Sequence, residues 1–455
     1  MMAGPHGLYG HLFGEREVAD RLSDRARVQA MLDVEAELAE ALARVGVAPA
    51  SSVEPIRQVA RAELYDLAAL ATEAARAGNA VIPLVADLTR RVATIDAEAA
   101  RYVHWGATSQ DAMDTGLVLQ LRQLAAVLRE DLERLSAALA GRAEQHKTTP
   151  LAGRTWLQHA TPITLGVKMA GWLDAVERHA ARLPEMRTRA LVLQLGGAAG
   201  TLAALGGRGL EVAEALANEL GLALPPMPWH AHRDRFAEVA AFLGLLTGML
   251  GKMARDLSLL MQTEVAEAFE PAAEGRGVSS TMPQKRNPVA AAVALAAAAR
   301  APGLVSTMLS AMVQEHERGL GGWHAEWETL PELASLAAGS LRQMAEAVEG
   351  LEVDAARMRA NLDETRGAIL AEAAAMALAA RIGRPQAHEL VERASRRALE
   401  MGRKLQDVLG EDPAVSQHLS PRDLAAVFEP RHYLGQSVAF IDRVLAQRRR
   451  RREAT

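Results

Sequence analysis

The sequence predicts an all-α protein built around a bundle of long helices. Three observations carry that expectation. Alanine and leucine dominate a chain that is 49% hydrophobic and only 4% aromatic, which suits helices packed on helices better than sheets. Apolar residues recur three and four apart over long stretches. The breaks between those stretches carry glycine and proline. With 455 residues the chain is too long for one simple core. We divide it into an N-terminal helical domain over 1–108, a central long-helix domain over 109–355 and a small helical domain over 356–455. No cysteine occurs, which excludes disulfides, thiolate metal sites and a cysteine nucleophile. A formal charge of -5 argues against a general nucleic-acid binder. Met1 to Phe13 lacks a basic segment followed by an apolar run, and no uncharged apolar run approaches the length of a membrane span. A soluble cytoplasmic protein without membrane or nucleic-acid partners is the expectation.

Residues 15–46 read as one amphipathic helix, with Val28, Met31, Leu32, Glu35, Leu38 and Leu42 mostly at helical spacing. Gly46 and Pro49 stop it. A similar segment covers roughly 52–76. After the break at Gly78-Asn79-Ala80-Val81-Ile82-Pro83 a helix runs to about residue 97, and Asn79 is either its cap or a functional group. Thr108 followed by Asp111 resembles a capping box. Beyond it Leu117, Leu121, Leu124, Leu128, Leu132, Leu135 and Leu139 form a stripe of core packing. The start of this helix offers free N–H groups and a positive dipole end, which suit a carboxylate. His104, just upstream, reads equally as a satisfied structural histidine or a functional one.

Thr161-Pro162 predicts an N-cap and a proline at the first helical position, with a helix running toward Pro184. The glycines at 196–200 and 206–209 allow a phosphate loop, but no strand pattern precedes them and no Gly-Lys-Ser/Thr follows. Turns or close packing fit them better. The longest periodic segment is about 233–268, where Val239, Leu243, Leu246, Leu250, Met253, Leu257 and Leu260 alternate four and three apart. So long a seam suggests a helix bundle with partner subunits. A helix over about 289–318 carries Pro302 as a kink. His316 and Glu317, adjacent on it, point apart and form no zinc pair. Gly319 to His324 break the pattern before a helix at 327–350. Shorter helices follow at 361–382, 386–409 and 434–448, and Ser420-Pro421-Arg422-Asp423 is a helix start. The charge run Arg448 to Arg452 reads as a solvated helix end rather than a nucleic-acid contact.

One stretch concentrates chemistry. Residues 274–288 place two serines, a lysine and an asparagine between the flexible Gly275 and Gly277 and the stiff Pro283 and Pro288. It reads as an ordinary connection or as a functional loop, and convergent polar groups favour the second. Ser279-Ser280-Thr281-Met282-Pro283-Gln284-Lys285-Arg286-Asn287-Pro288 resembles the signature of the fumarase/aspartase superfamily, Gly-Ser-Ser-x-Met-Pro-x-Lys-x-Asn-Pro, with Val278 in place of the leading glycine. Thr108-Ser109-Gln110-Asp111 is similar to the superfamily's Thr-Ser-x-Asp segment. Thr155, Gln158, Ala160 and Pro162 match its Thr-His-x-Gln-x-Ala-x-Pro motif, with Trp156 where the histidine belongs and His159 on an open position. Arg233-Asp234-Arg235 and His316-Glu317-Arg318 have counterparts as well, although His232 stands where the superfamily has glutamine.

The resemblance spans the chain and implies a fumarase/aspartase-like fold with three domains and a tetrameric helix-bundle core. It implies a homotetramer whose active sites are shared between subunits, a small polycarboxylate substrate, and neither cofactor nor metal. Ser279 becomes the base that removes a proton next to a carboxylate. Lys285 and Asn287 hold a substrate carboxylate, and His159 joins them as a catalytic candidate. His104, Thr108, Ser109, Gln110, Thr155, Trp156, Gln158, Ser280, Met282 and Arg318 become substrate contacts. Lyases that expel hydroxyl, amine or amidine groups need an acid at departure, for which histidine is suited. With Trp156 and Asn79 at the histidine positions, the chain looks instead like the lactone-forming cycloisomerases of the β-ketoadipate pathway, which act in its protocatechuate branch. A carboxylate, with a pKa of about 4, leaves without a proton. A C–N or C–O lyase such as adenylosuccinate lyase is the alternative. A non-catalytic structural protein is a further one, opposed by the intact Ser279, Lys285 and Asn287.

Overall fold

Helix formers, amphipathic spacing and capping residues produce the expected all-α fold. The computed structural model describes residues 9–14 and 16–453. Most of the segment searched for a leader, residues 1–8, lies outside the described residues, as does Glu15 at the start of the first expected helix. Six long helices dominate: α1 (Asp24–Val45), α2 (Ser109–Gln145), α3 (Leu165–Ala190), α4 (Asp234–Met261), α5 (Val289–Ser310) and α6 (Gly322–Glu349). The chain forms two compact units. Among the described residues, one comprises 9–14, 16–131, 179–251 and 293–343; the other comprises 132–178, 252–292 and 344–453.

In the first unit, α1 packs through Met31, Leu32, Leu38 and Leu42 into a core with Ile56, Leu84, Leu88 and Leu216. The expected helix over 15–46 is two helices, because Ser23 accepts a hydrogen bond from the N–H of Ala26 and starts a new one. The segment at 52–76 is also interrupted. Asp66 caps its second half, Leu67–Ala77, through the N–H groups of Ala68 and Ala69. The carboxamide oxygen of Asn79 accepts from the N–H groups of Val81 and Ile82, so the cap reading holds for it.

In the second unit, the expected helix start at Thr161 is a β-hairpin. Strands β1 (Pro150–Thr155) and β2 (Gln158–Thr164) pair antiparallel, with an irregularity between Ala152 and Arg154. Pro162 therefore lies in a strand, and Thr164 supplies the cap of α3 by accepting from the N–H of Val167. Ala152 packs with Leu362, Ile369 and Leu370, and this burial outweighs the local N-cap-and-proline signal. Ser420 forms the expected capping box with Asp423. The arginine run is not simply solvated: the Arg448 Nε–H donates to Ser136 Oγ, and its guanidinium pairs with Glu133.

All seven residues of the α4 seam are buried within this one chain. The seam is therefore internal packing, and partner subunits are not needed to explain it. Helices α4 and α5 are each long and apolar enough by length and composition to cross a membrane, although charges such as Lys252 and Arg300 interrupt them. In α4, 61% of the most apolar window is buried inside the structure, as in a core helix. Helix α5 ends at Ser310, eight residues before the expected Arg318. Glu315, His316 and Glu317 thus lie beyond the helix, with His316 at φ 49 in a turn with Glu317. Helix α6 begins at Gly322, inside the segment expected to be a break.

Candidate active site

The first unit holds a buried polar cluster at the start of α2. Asp111 is 1% exposed, and its carboxylate accepts four hydrogen bonds. The donors are the N–H groups of Thr108 (3.0 Å), Gly196 (2.9 Å) and Gly197 (2.9 Å), and Nε2 of His230 at 2.7 Å. The capping-box reading of Asp111 is therefore only a quarter of its role. The glycine loop binds this internal carboxylate, which answers its phosphate-loop reading. Gly197 has φ +69, and a Cβ there would meet the Gly106 carbonyl at 2.9 Å, so glycine is required.

One turn further along α2, Asp114 takes two hydrogen bonds from the Arg233 guanidinium, at 2.7 and 3.0 Å. Glu326 on α6 takes three from the same group, the shortest at 2.6 Å. The guanidinium lies 4.9 Å from the Trp229 ring and 5.0 Å from that of Phe236. Desolvation pushes the Glu326 carboxyl upward against the pull of Arg233. The two carboxylates hold Arg233 above its ordinary range, although burial alone would lower it.

Around this frame stand the expected substrate contacts of the first unit. The Thr108 and Ser109 hydroxyls are half-buried and have no partner among the described residues. Gln110 is 0% exposed, which places it behind the surface and not on it. Its amide donates to the His230 carbonyl at 2.9 Å, and its oxygen accepts from Arg318 Nε at 3.1 Å. His104, at φ 57, bonds Glu35 through Nδ1 at 2.6 Å. Burial would push this imidazole down, but the Glu35 charge and hydrogen bond carry it upward overall. The structural reading of His104 is thus satisfied, which leaves its role toward substrate a proposal.

The second unit holds the other candidates on the hairpin and the loop. Trp156 and Leu157 form the hairpin tip at φ 53 and 64. Both sit in the left-handed region that Asn-Gly would occupy without strain. Trp156 is 95% exposed, and Thr155 and Gln158 flank it in the open. Behind the tip, Arg154 forms a two-pronged pair with the fully buried Glu267 at 2.8 and 2.9 Å. His159 pairs with Arg154 across the strands. Desolvation, with Arg154 adding to it, pushes the His159 imidazole down, which favours its neutral form.

The loop from 272 to 288 is fixed at its ends. Glu270, 4% exposed, caps α5 by accepting from the N–H groups of Ala290 and Ala291 at 2.9 and 2.8 Å. Arg286 forks onto Glu352 with two bonds of 2.9 Å. Asn287 donates through N and Nδ2 to the Gly277 carbonyl, at 2.9 and 3.1 Å, and so braces the base of the loop. A Cβ on Gly277 would meet the Asn287 carbonyl at 2.6 Å. Between these ends Ser280, Met282 and Lys285 are exposed. Ser279 Oγ accepts from the N–H of Met282 at 3.1 Å and of Thr281 at 3.4 Å.

The candidates thus fall into two sets, each assembled within its own unit. The sequence did not disclose Asp114, Glu326 or His230. Their signals were present but ambiguous: an acidic pair three apart at a helix start, and a histidine three before an arginine. No cluster of metal-binding side chains occurs among the described residues.

Residues 15–303 match a family described as lyase, and residues 367–444 match the adenylosuccinate lyase C-terminus. A 3-carboxy-cis,cis-muconate cycloisomerase of Pseudomonas aeruginosa is 63% identical over 425 residues, covering 93% of each chain. One of Bradyrhizobium diazoefficiens is 56% identical over 422 residues, covering 93% of this chain and 94% of that one. The crystal structure of the 3-carboxy-cis,cis-muconate lactonizing enzyme of Pseudomonas putida superposes with a TM-score of 0.94 at 54% identity, covering 97% of this chain and 99% of that one.

Proposed function

We propose a function from this premise: the chain belongs to the lyase family it matches, within the fumarase/aspartase superfamily. It is an enzyme of that superfamily and catalyses the 3-carboxy-cis,cis-muconate cycloisomerase reaction. The substrate's own carboxylate adds to a double bond and a proton is delivered to carbon, which gives 4-carboxymuconolactone. The observation that carries this reading is the identity of 63% over 425 residues with a cycloisomerase.

Ser279 is proposed as the group that moves the proton at carbon. Two N–H groups aimed at its oxygen, from Met282 and Thr281, favour the alkoxide over the hydroxyl. In the lactone-opening direction Ser279 removes a proton beside a carboxylate, the C–O bond to the second carboxylate breaks, and that group leaves as an anion. Its pKa of about 4 makes a protonating acid unnecessary. An exposed Trp156, in place of a histidine, is consistent with this. Lys285 and the start of α2, with Thr108 and Ser109, are proposed to hold the negative charge that builds up on the substrate. Met282, Ser280, Thr155, Gln158, Arg318 and His104 are retained as proposed contacts, and His159 as a proposed catalytic group.

Assembly into a homotetramer with shared active sites is part of the proposal. It is supported by the exposed apolar surface of α5. Only 33% of the most apolar window of α5 is buried in the single chain, and Leu309, Met312 and Val313 are exposed at and beyond its end. Light scattering that shows a stable, active monomer would sink it. The three-domain division stays a proposal, to be tested by limited proteolysis near residues 108 and 355. A cytoplasmic location is likewise proposed, because the relatives are enzymes of small-molecule metabolism; cell fractionation tests it.

The deciding experiment is a substrate panel on purified protein, followed by ultraviolet absorbance. Loss of the muconate chromophore with 3-carboxy-cis,cis-muconate is expected. Cleavage of adenylosuccinate instead would transfer the reading to the alternative lyase.

A further inference from the structure

We propose that His230 is a positioning residue that sets the substrate-facing geometry of the first unit's site; this rests on the function proposed above. Four observations converge on it. Its ring Nε2 is 2.7 Å from Asp111 Oδ1, and the other oxygen of that carboxylate holds the N–H of Thr108. Its backbone carbonyl accepts the Gln110 amide at 2.9 Å, and Gln110 in turn holds Arg318 Nε at 3.1 Å. Its ring lies so close to Gly196 that a Cβ there would meet Cε1 at 2.7 Å. The residue before it, Trp229, is pinned through its N–H to Gln194 and through its indole N–H to the Leu193 carbonyl, both at 2.9 Å.

The bond to a carboxylate fixes the imidazole tautomer, since Nε2 must carry the proton that Asp111 accepts. His230 is only 4% exposed and its Nε2 is engaged with Asp111, so it acts through Asp111 rather than on substrate. What it controls are the two groups that face outward. One is the start of α2, with the unpartnered Thr108 and Ser109 hydroxyls. The other is Arg318, which among the described residues has no carboxylate partner and whose other hydrogen bond is to the Gly197 carbonyl at 3.5 Å. A guanidinium without a counter-charge beside a helix start is an anion site, and a shift of about 1 Å there weakens carboxylate binding steeply. Gln110, expected as a substrate contact, acts in this scheme as the link between His230 and Arg318.

The test compares His230→Gln, His230→Leu and the combination of each with Arg318→Ala, using 3-carboxy-cis,cis-muconate turnover and thermal melting. Gln can place its amide N–H near the former Nε2, so it should stay within about threefold of wild type. Leu should raise KM by about tenfold or more while kcat falls by less than about threefold. In the Arg318→Ala background the Leu change should raise KM by less than it does alone, because only the arm through Asp111 and the start of α2 remains. Additive effects, or equal losses in Gln and Leu that follow the melting temperature, would overturn the proposal. Should the Leu variant not fold, His230→Asn, whose shorter amide does not reach Asp111, takes its place. If the wild type itself leaves 3-carboxymuconate unchanged, the proposed function has failed. The same variants are then compared by calorimetry with tricarballylate as the polycarboxylate probe. A tenfold weaker binding in Leu but not in Gln (about 1.4 kcal/mol) upholds the positioning role, and equal binding overturns it.

Discussion

The polar cluster at the start of α2 and the loop from 272 to 288 use similar groups in opposite ways. Asp111, Asp114, Arg233 and Glu326 are each at most 2% exposed, and each carries several charge-assisted hydrogen bonds. Among the described residues Ser279 and Lys285 have only local backbone partners, although the loop ends are fixed by Glu270, Arg286 and Asn287. The cluster is preorganised, and its order is maintained by the cost of leaving buried charge unpaired. The loop is anchored but open, so the groups proposed to react are within reach of water. The contrast teaches that one chain can keep a rigid, charge-paired cluster in one unit and an exposed polar loop in the other.

Ser279→Ala probes the open half and should have the largest effect. Turnover of 3-carboxy-cis,cis-muconate should fall roughly a thousandfold, because a positioned proton-transfer group is lost. The thermal midpoint should not move, since the hydroxyl contacts only its own loop. Near-normal turnover would remove the serine from the mechanism.

Arg233→Met probes the buried half. Two carboxylates would remain in the interior without their cation, and the loss should be about 3–5 kcal/mol in denaturant unfolding. An unchanged midpoint would mean that water already reaches Asp114 and Glu326. The sharpened expectation is a double dissociation: the serine change strikes rate without stability, and the arginine change strikes stability first.

The smallest effect belongs to His104. Its pKa is raised above the ordinary 6.5 by Glu35, despite opposing burial. The pair's contribution to stability is therefore fully present below pH 6.5 and is lost as pH rises through the raised folded value. Unfolding at about pH 6 and about pH 9 should show the wild type losing stability relative to His104→Gln, by less than about 1 kcal/mol. Parallel curves would show that the pair does not titrate in this range.

Much was decided by the sequence alone. Helical spacing located α1, α2 and α4, because amphipathic periodicity is a local property that burial then uses. The Ser420 capping box and the Asn79 cap were legible for the same reason, as their partners lie two or three residues away. The signature from Ser279 to Pro288 was legible because its chemistry is contiguous. The tertiary structure decided whatever depends on distant partners. Thr161-Pro162 looked like a helix start until Pro150–Thr155 paired with it and Ala152 found Leu362 and Ile369. The α4 seam looked like an interface until the chain itself buried it. Asp111 looked like a cap, and only folding brought Gly196, Gly197 and His230 to its carboxylate across more than 80 residues. No local pattern encodes such a site, because the free energy that selects it comes from satisfying a buried charge with donors from several segments.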